Sequence, residues 1–351
     1  MSDAEDVLRT DLMETLAFSL SYLACPLCKG TLKNEGAIQV KCLSCKSVYS
    51  VDDGIPILLS PQLGKFKMSE AEFHSKAANE FVERHMKFSY RVARYHDDYL
   101  KCFCDCQKGD LVLEVGGGGG LESVHLKNIG LTLIESDISV GMVKAARKRA
   151  IAAGQDSNSV FVVCDAEQLP CKDQSLDAVL IVGTLHHLPS PECFFAEAKR
   201  ALKPGGLLVI GFEPNRWPYF TVYPAMRLLG KFLHPRRGTI PGEVSIGDME
   251  TTGFVEVDFE RFLKAEGLKK VRLQRIWYID GFTQLVLGYI NRKRPVGQLI
   301  DLPDTLQRAI VACDNFLSRI PLLRRFCFHW TLVAQRPQTN NGALTVGEDH
   351  S

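Results

Sequence analysis

Four cysteines in two pairs are the first residues whose spacing points to chemistry. Cys25-Pro-Leu-Cys28 and Cys42-Leu-Ser-Cys45 are separated by 13 residues. A CxxC turn places both sulfurs on one side of a backbone bend, and two such turns close a tetrahedron around zinc at about 2.3 Å per bond. Cys25, Cys28, Cys42 and Cys45 are therefore expected to ligate zinc. Four thiolates leave no open position, so such a site holds a fold and does not react with substrate. A module this small buries too little apolar surface to fold unaided, and the metal would supply the missing free energy. The other eight of the twelve cysteines show no paired spacing and are read as free thiols.

A glycine run is the second feature. The apolar stretch Leu111 to Val115 ends in Glu114-Val-Gly116-Gly-Gly118-Gly-Gly120. Glycines after a first parallel strand let the chain turn tightly and let a cofactor lie against bare backbone. The dinucleotide fingerprint GxGxxG needs a third small residue; starting from Gly116, Gly117 or Gly118, its place is taken by Leu121, Glu122 or Ser123. The nicotinamide reading loses ground accordingly. ExGxGxG, with the acid Glu114 before the glycines, instead resembles the first motif of class I S-adenosylmethionine-dependent methyltransferases. In order along the chain stand EVGGGGG, ESDIS, CDAEQLP, SLDAVLIVGTLHHL and AKRALKPGGLLVI, which together resemble the type 11 methyltransferase domain over residues 108 to 215. Likewise CPLCKGTL and CLSCKSVYSVDDGIPILL resemble the zinc ribbon of a small methyltransferase-activator family, over residues 21 to 59.

The resemblance implies a Rossmann-like α/β fold with a seven-stranded, mostly parallel sheet. It also implies a cofactor set of Glu114, Gly116, Gly118, Gly120, Asp137, Ile138, Asp165 and Ala166. Asp137 stands 23 residues after Glu114, where a carboxylate accepts from both ribose hydroxyls. Asp165 would accept from an adenine amino group, with Ala166 supplying a backbone N–H. Methyl transfer from a sulfonium needs alignment and exclusion of water, with no covalent nucleophile. A base helps if the acceptor is a hydroxyl or an activated carbon, and His186 and His187, after the fourth strand, are the candidates. Glu213, Asn215, Trp217 and Tyr219, after the fifth, are the candidates for touching the acceptor.

The elements that must position these groups follow from periodicity. Short β-branched runs at 111–115, 132–135, 161–163, 178–182 and 207–212 alternate with helical stretches, which indicates βαβ crossovers. The chain divides into an N-terminal helix (1–20), the ribbon (21–60), a helical linker and lid (61–107), the methyltransferase domain with an insert after its fifth strand (108–280), a helical C-terminal cap (281–337) and a disordered tail (338–351). At 351 residues there is ample chain for one large domain and a small one. The 42 Lys and Arg balance 41 Asp and Glu, which removes a globally basic nucleic-acid coat as an expectation. Residues after Pro214 are locally basic and interleaved with aromatics, a pattern suited to an anionic membrane surface. The acidic start is the opposite of a signal peptide, and a cytoplasmic protein, peripheral at the membrane, is expected. The expected activity is methyl transfer to a small-molecule or lipid-linked acceptor. Two rivals are an RNA methyltransferase that docks through the ribbon, and a non-catalytic scaffold that binds cofactor and a protein partner. The ribbon's bases, Lys29, Lys33, Lys41 and Lys46, lack the aromatic interleaving of an RNA-stacking surface, so nucleic acid is not favoured.

Overall fold

A computed structural model describes residues 3–85, 89–103, 105–225, 228, 245, 247, 250–291 and 294–338. Helix α1 (Asp3–Tyr22) leads into a four-stranded antiparallel meander, β1 (Leu32–Asn34), β2 (Gln39–Cys42), β3 (Val48–Asp52) and β4 (Ile55–Leu58). Two helices follow, α2 (Lys65–His85) and α3 (Tyr90–Leu100). The central unit then runs β5 (Leu111–Val115), α4 (Ser123–Asn128), β6 (Thr132–Asp137), α5 (Val140–Ala152), β7 (Ser159–Cys164), β8 (Leu176–Val182), α6 (Pro191–Ala201) and β9 (Leu202–Pro214). After the short α7 (Trp217–Phe220) come α8 (Glu256–Glu266), β10 (Lys269–Ile276), α9 (Ile279–Asn291), α10 (Asp304–Leu317) and β11 (His329–Gln335).

The α/β expectation holds, with two differences. Among the described residues the sheet has eleven strands, not seven, in the order β1-β2-β3-β4-β7-β6-β5-β8-β9-β11-β10. Seven of these make the central unit; the four of the cysteine module extend it because β4 pairs in parallel with β7, Ile57 opposite Val163 and Leu58 opposite Cys164. An unpaired edge beside β7 would expose a row of backbone donors and acceptors, and the apolar run Ile55-Pro-Ile-Leu58 covers it. The second difference is at the end of the stretch 281–337, which was expected to be helical. His329–Gln335 is a strand inserted between β9 and β10 and antiparallel to both. Its burial on both faces is that of an internal strand. The expected tail beyond Gln338 lies outside the described residues.

Alternation along the strands divides the core in two. Leu113, Val115, Ile134, Val179 and Ile181 face α6 and α8, where Phe194, Phe195 and Phe259 are fully enclosed. Val112, Leu133, Leu180 and Val209 face the other way, against Tyr99 and Phe103. Phe195 stacks on Phe262 with ring centroids 4.9 Å apart, which locks α8 onto α6. Among the described residues no helix is long and apolar enough to cross a membrane. Replacing Phe195 with Ala should lower the unfolding free energy by about 3–5 kcal/mol in urea titration; a loss under about 1 kcal/mol would contradict this packing.

Candidate cofactor and acceptor site

The turn after β5 is where the sheet opens. Gly116, Gly118 and Gly120 sit at φ of 63°, 52° and 71°, conformations that cost other residues strain. A Cβ at Gly116 would lie 2.3 Å from the Thr184 methyl, and one at Gly117 2.8 Å from the Glu114 carboxyl. The loop is therefore bare backbone by necessity. It forms one wall of a cavity of about 580 Å³ at the carboxyl ends of β5, β6, β7 and β8, the position at which open parallel sheets take ligands.

Gly116, Gly118, Asp137, Ile138, Asp165 and Ala166 all line this cavity. Asp137 accepts from Gly118 N at 3.0 Å and Ser139 N at 2.8 Å, so the carboxylate is fixed to both the loop and the start of α5. Burial raises its pKa, and the two backbone N–H groups oppose that rise. Asp165 accepts from Lys67 Nζ at 2.6 Å, and the same ammonium reaches Glu167 at 2.7 Å. Gly120 and Glu114 lie behind the loop. Glu114 is buried, accepts from the Ser123 hydroxyl, and is pushed toward its neutral form first by burial and then by Glu122 and Glu135. It shapes the loop from below, and Gly120 packs over Glu135 and Ala146.

His186 and His187 come from a single 3-10 turn, Leu185–His187, and both line the cavity with ring centroids 4.2 Å apart. Their positions are set by two carboxylates. Glu213 is fully buried at the end of β9 and accepts from the backbone N–H groups of Thr184 (2.9 Å), Leu185 (2.8 Å) and His186 (3.1 Å), and from His186 Nδ1 at 3.0 Å. Glu70 of α2 meets His187 Nδ1 at 3.2 Å and accepts from Gly247 N at 2.9 Å. Burial opposes ionisation of Glu70, but His187, His74 and Gly247 together hold its carboxyl well below the usual range. A carboxylate only accepts, so each Nδ1 carries the proton and Nε2 is the basic nitrogen of each ring.

The residues expected to touch the acceptor are not part of the cavity wall. Asn215 is buried and donates to Cys327 O at 2.8 Å and Arg325 O at 2.9 Å. Trp217 donates through Nε1 to Cys327 O, and Tyr219 packs edge-on against Tyr223. With Glu213 turned to the 3-10 turn, this segment braces β9 against the chain before β11. From β9 onward the cavity wall is made instead by Phe212, Trp277, Gln284 and His329. Opposite Trp330 and Leu332 of β11, the pairing on β9 steps from Glu213 to Ile210, so β9 carries one extra residue. That bulge puts Phe212 at φ 51° and re-aims its ring into the cavity, 5.2 Å from Trp277. Helix α2 supplies Lys67, Glu70 and His74, which a sequence reading could have found from their recurrence at helical spacing on one face.

Among the described residues, two groups of side chains have the chemistry to hold a metal. The sulfurs of Cys25 and Cys45 are 3.6 Å apart and those of Cys28 and Cys42 3.5 Å, with all four within 4.8 Å of one another. Zinc–sulfur bonds of about 2.3 Å require sulfurs roughly 3.8 Å apart at tetrahedral angles, so the set fits zinc. Lys29 and Lys46 follow each pair at φ 57° and 65°, closing the two knuckles. Glu70, His74 and His187 also bring one ligand atom each within 4.8 Å.

Glycine turn, ordered acids and strand order together are similar to those of class I methyltransferase domains. Residues 113–210 match the family model described as "Methyltransferase domain". A demethylmenaquinone methyltransferase of Renibacterium salmoninarum is 36% identical over 33% of this chain and 47% of its own length. The ubiquinone/menaquinone biosynthesis C-methyltransferase UbiE of Stutzerimonas stutzeri is 28% identical over 57% of this chain and 86% of its own. In fold, the chain is similar to phosphoethanolamine N-methyltransferase 2 of Haemonchus contortus, with a TM-score of 0.51 at 17% identity over 81% of this chain and 62% of that one. The chain thus spans about half the length of the first of these relatives.

His329 gives a pH signature. Burial, and then the neighbouring His186, push its pKa down to about 3. An unfolded histidine takes its proton near pH 6.5, so the unfolded state binds more protons between about pH 6.5 and 3, and stability falls as pH falls through that window. His329→Phe should flatten this acid slope in thermal melts between about pH 7.5 and 5; an unchanged slope would contradict the assignment.

Proposed function

We propose that the protein is an S-adenosylmethionine-dependent methyltransferase acting on a small-molecule or lipid-linked acceptor. The carrying observation is Asp137, tied to the glycine loop and facing the cavity at the end of β6. The residues fit the cofactor: bare loop backbone beside its methionine portion, Asp137 for the ribose, and Asp165 with Ala166 for the adenine. When bound, the cofactor supplies an electrophilic methyl group on a sulfonium. The chain's own part is to align, desolvate and move one proton. His186, with Nδ1 committed to the buried Glu213, presents Nε2 as a base for an acceptor hydroxyl, and Glu213 stabilises the imidazolium that results. His329, held neutral, adds no positive charge beside a sulfonium.

Phe212 and Trp277 favour a flat, apolar acceptor, since aromatic rings pack best on other rings. The names of the quinone methyltransferase relatives agree with a ring-bearing acceptor of this kind. Zinc in the cysteine module would be structural, supporting β4 on the edge of β7.

Calorimetric titration with S-adenosylmethionine tests the first claim. The wild type should bind one equivalent, and Asp137→Ala should weaken binding at least tenfold, the equivalent of about 1.4 kcal/mol; no binding by a folded wild type would remove the proposal. Elemental analysis should find one zinc per chain in the wild type and none after Cys28→Ser with Cys45→Ser, with a melting temperature lower by about 5 °C or more. A metal-free wild type of unchanged stability would contradict the structural zinc.

A further inference from the structure

Around the acceptor side of the cavity, three segments place large apolar side chains in water. On α9, Ile279, Phe282, Val286, Tyr289 and Ile290 are all exposed and recur at the spacing of one helical face. The opposite face of the same helix is committed inward. Asp280 is fully buried against Arg91, and Gln284 lines the cavity. The start of α9 is pinned from α10, where Asp314 accepts from Tyr278 N at 3.0 Å and Ile279 N at 2.7 Å and from the Tyr95 hydroxyl at 2.9 Å. The helix is fixed with its apolar stripe outward.

The other two segments reach the same place through Phe328. Phe282 packs on Phe328 at 4.9 Å, and Trp217 packs on both Phe328 (5.2 Å) and Phe326 (5.7 Å). Beside these contacts Phe220 is 66% exposed on α7, Leu322 76% exposed on the 3-10 turn Pro321–Phe326, and Phe316 64% exposed at the end of α10. Isolated exposed apolar residues are ordinary, but Phe282 and Phe326, both exposed and joined through Phe328 and Trp217, carry the apolar stripe of α9 across to the 3-10 turn.

The charge of these segments decides what covers them. Residues 281–300 and 315–337 contain no Asp or Glu. The first carries Arg292, Lys293 and Arg294; the second carries Arg319, Arg324, Arg325 and Arg336, of which Arg319, Arg324 and Arg325 are exposed in the structure. Apolar side chains projecting among cations with no carboxylate between them match an interface whose outer layer is anionic and whose interior is hydrocarbon. A second copy of this face would bring the exposed Arg319, Arg324 and Arg325 against their own counterparts, which disfavours self-association.

We propose that this face docks on an anionic lipid bilayer, with α9, α7 and the 3-10 turn entering the headgroup layer. His329, Trp277 and Gln284 then put the cavity directly behind the docked face, so an acceptor with a hydrocarbon tail reaches the site while its tail stays in the membrane. The inference deepens the lipid-linked part of the proposed function, and its test does not depend on cofactor or turnover.

Flotation of the full chain with vesicles is the direct experiment. The protein should float with phosphatidylcholine vesicles containing about 30% phosphatidylglycerol, not with phosphatidylcholine alone, and salt should weaken the binding. Phe316→Ser with Leu322→Ser, and separately Arg324→Glu with Arg325→Glu, should each reduce partitioning at least tenfold while leaving S-adenosylmethionine affinity and melting temperature unchanged. Failure of the wild type to float, variants that float like the wild type, or a wild-type dimer dispersed by Phe316→Ser with Leu322→Ser would each overturn the proposal. Cofactor affinity read in the same samples separates failure of the membrane face from failure of the methyltransferase reading.

Discussion

Three positive backbone angles within five residues make the site. At Gly116, Gly118 and Gly120 the chain leaves β5 in a left-handed course that side chains resist, and it leaves N–H groups with no Cβ in front of them. Around that turn every other feature finds its place. Gly118 N reaches Asp137 of the next strand, Thr184 of the turn after β8 donates through its hydroxyl to Gly116 O at 3.1 Å, and Glu114 and Glu135 fill the space beneath. Substitution anywhere in the turn would move the acid, the histidine-bearing turn and the carboxylates together.

A pair of carboxylates from opposite sides controls the histidines. Glu213 comes from the sheet below, Glu70 from helix α2 above, and each takes an Nδ1. This leaves two neighbouring imidazoles, tilted 40° to each other, on different supports. The Glu213 side is fully buried and braced by three backbone N–H groups, so it belongs to the rigid frame. The Glu70 side rides on α2 together with Lys67, whose ammonium lies on Asp165. Helix α2 therefore touches both Asp165 and His187, and its seating couples the two ends of the cavity.

Local chemistry was legible in the sequence; long-range pairing was not. The two CxxC knuckles, the glycine turn, Asp137, Asp165 and the two histidines are each announced by neighbours a few residues away, and the structure gathers each set as spacing suggested. What escaped depends on contacts between residues distant in the chain, from Glu213 with the turn of His186 to β4 with β7. The strand His329–Gln335 reads as part of an apolar cap until it is seen between β9 and β10, and β4 reads as part of a separate module until it is seen beside β7. Glu213, Asn215 and Trp217 follow a strand at the ligand edge, so proximity suggested acceptor contact. Their donors and acceptors are instead spent on the turn of His186 and on Cys327. The β9 bulge, which aims Phe212 inward, leaves no mark in a single sequence because Phe212 is an ordinary strand residue by type.

The most direct test of the account is a crystal structure of the full chain with S-adenosylhomocysteine. The account predicts the ribose hydroxyls on Asp137, the adenine edge against Asp165 and Ala166, the homocysteine portion along Gly116 to Gly118, and Lys67 displaced from Asp165. A ligand bound away from Asp137, or a loop that stays bare at saturating ligand, would contradict it.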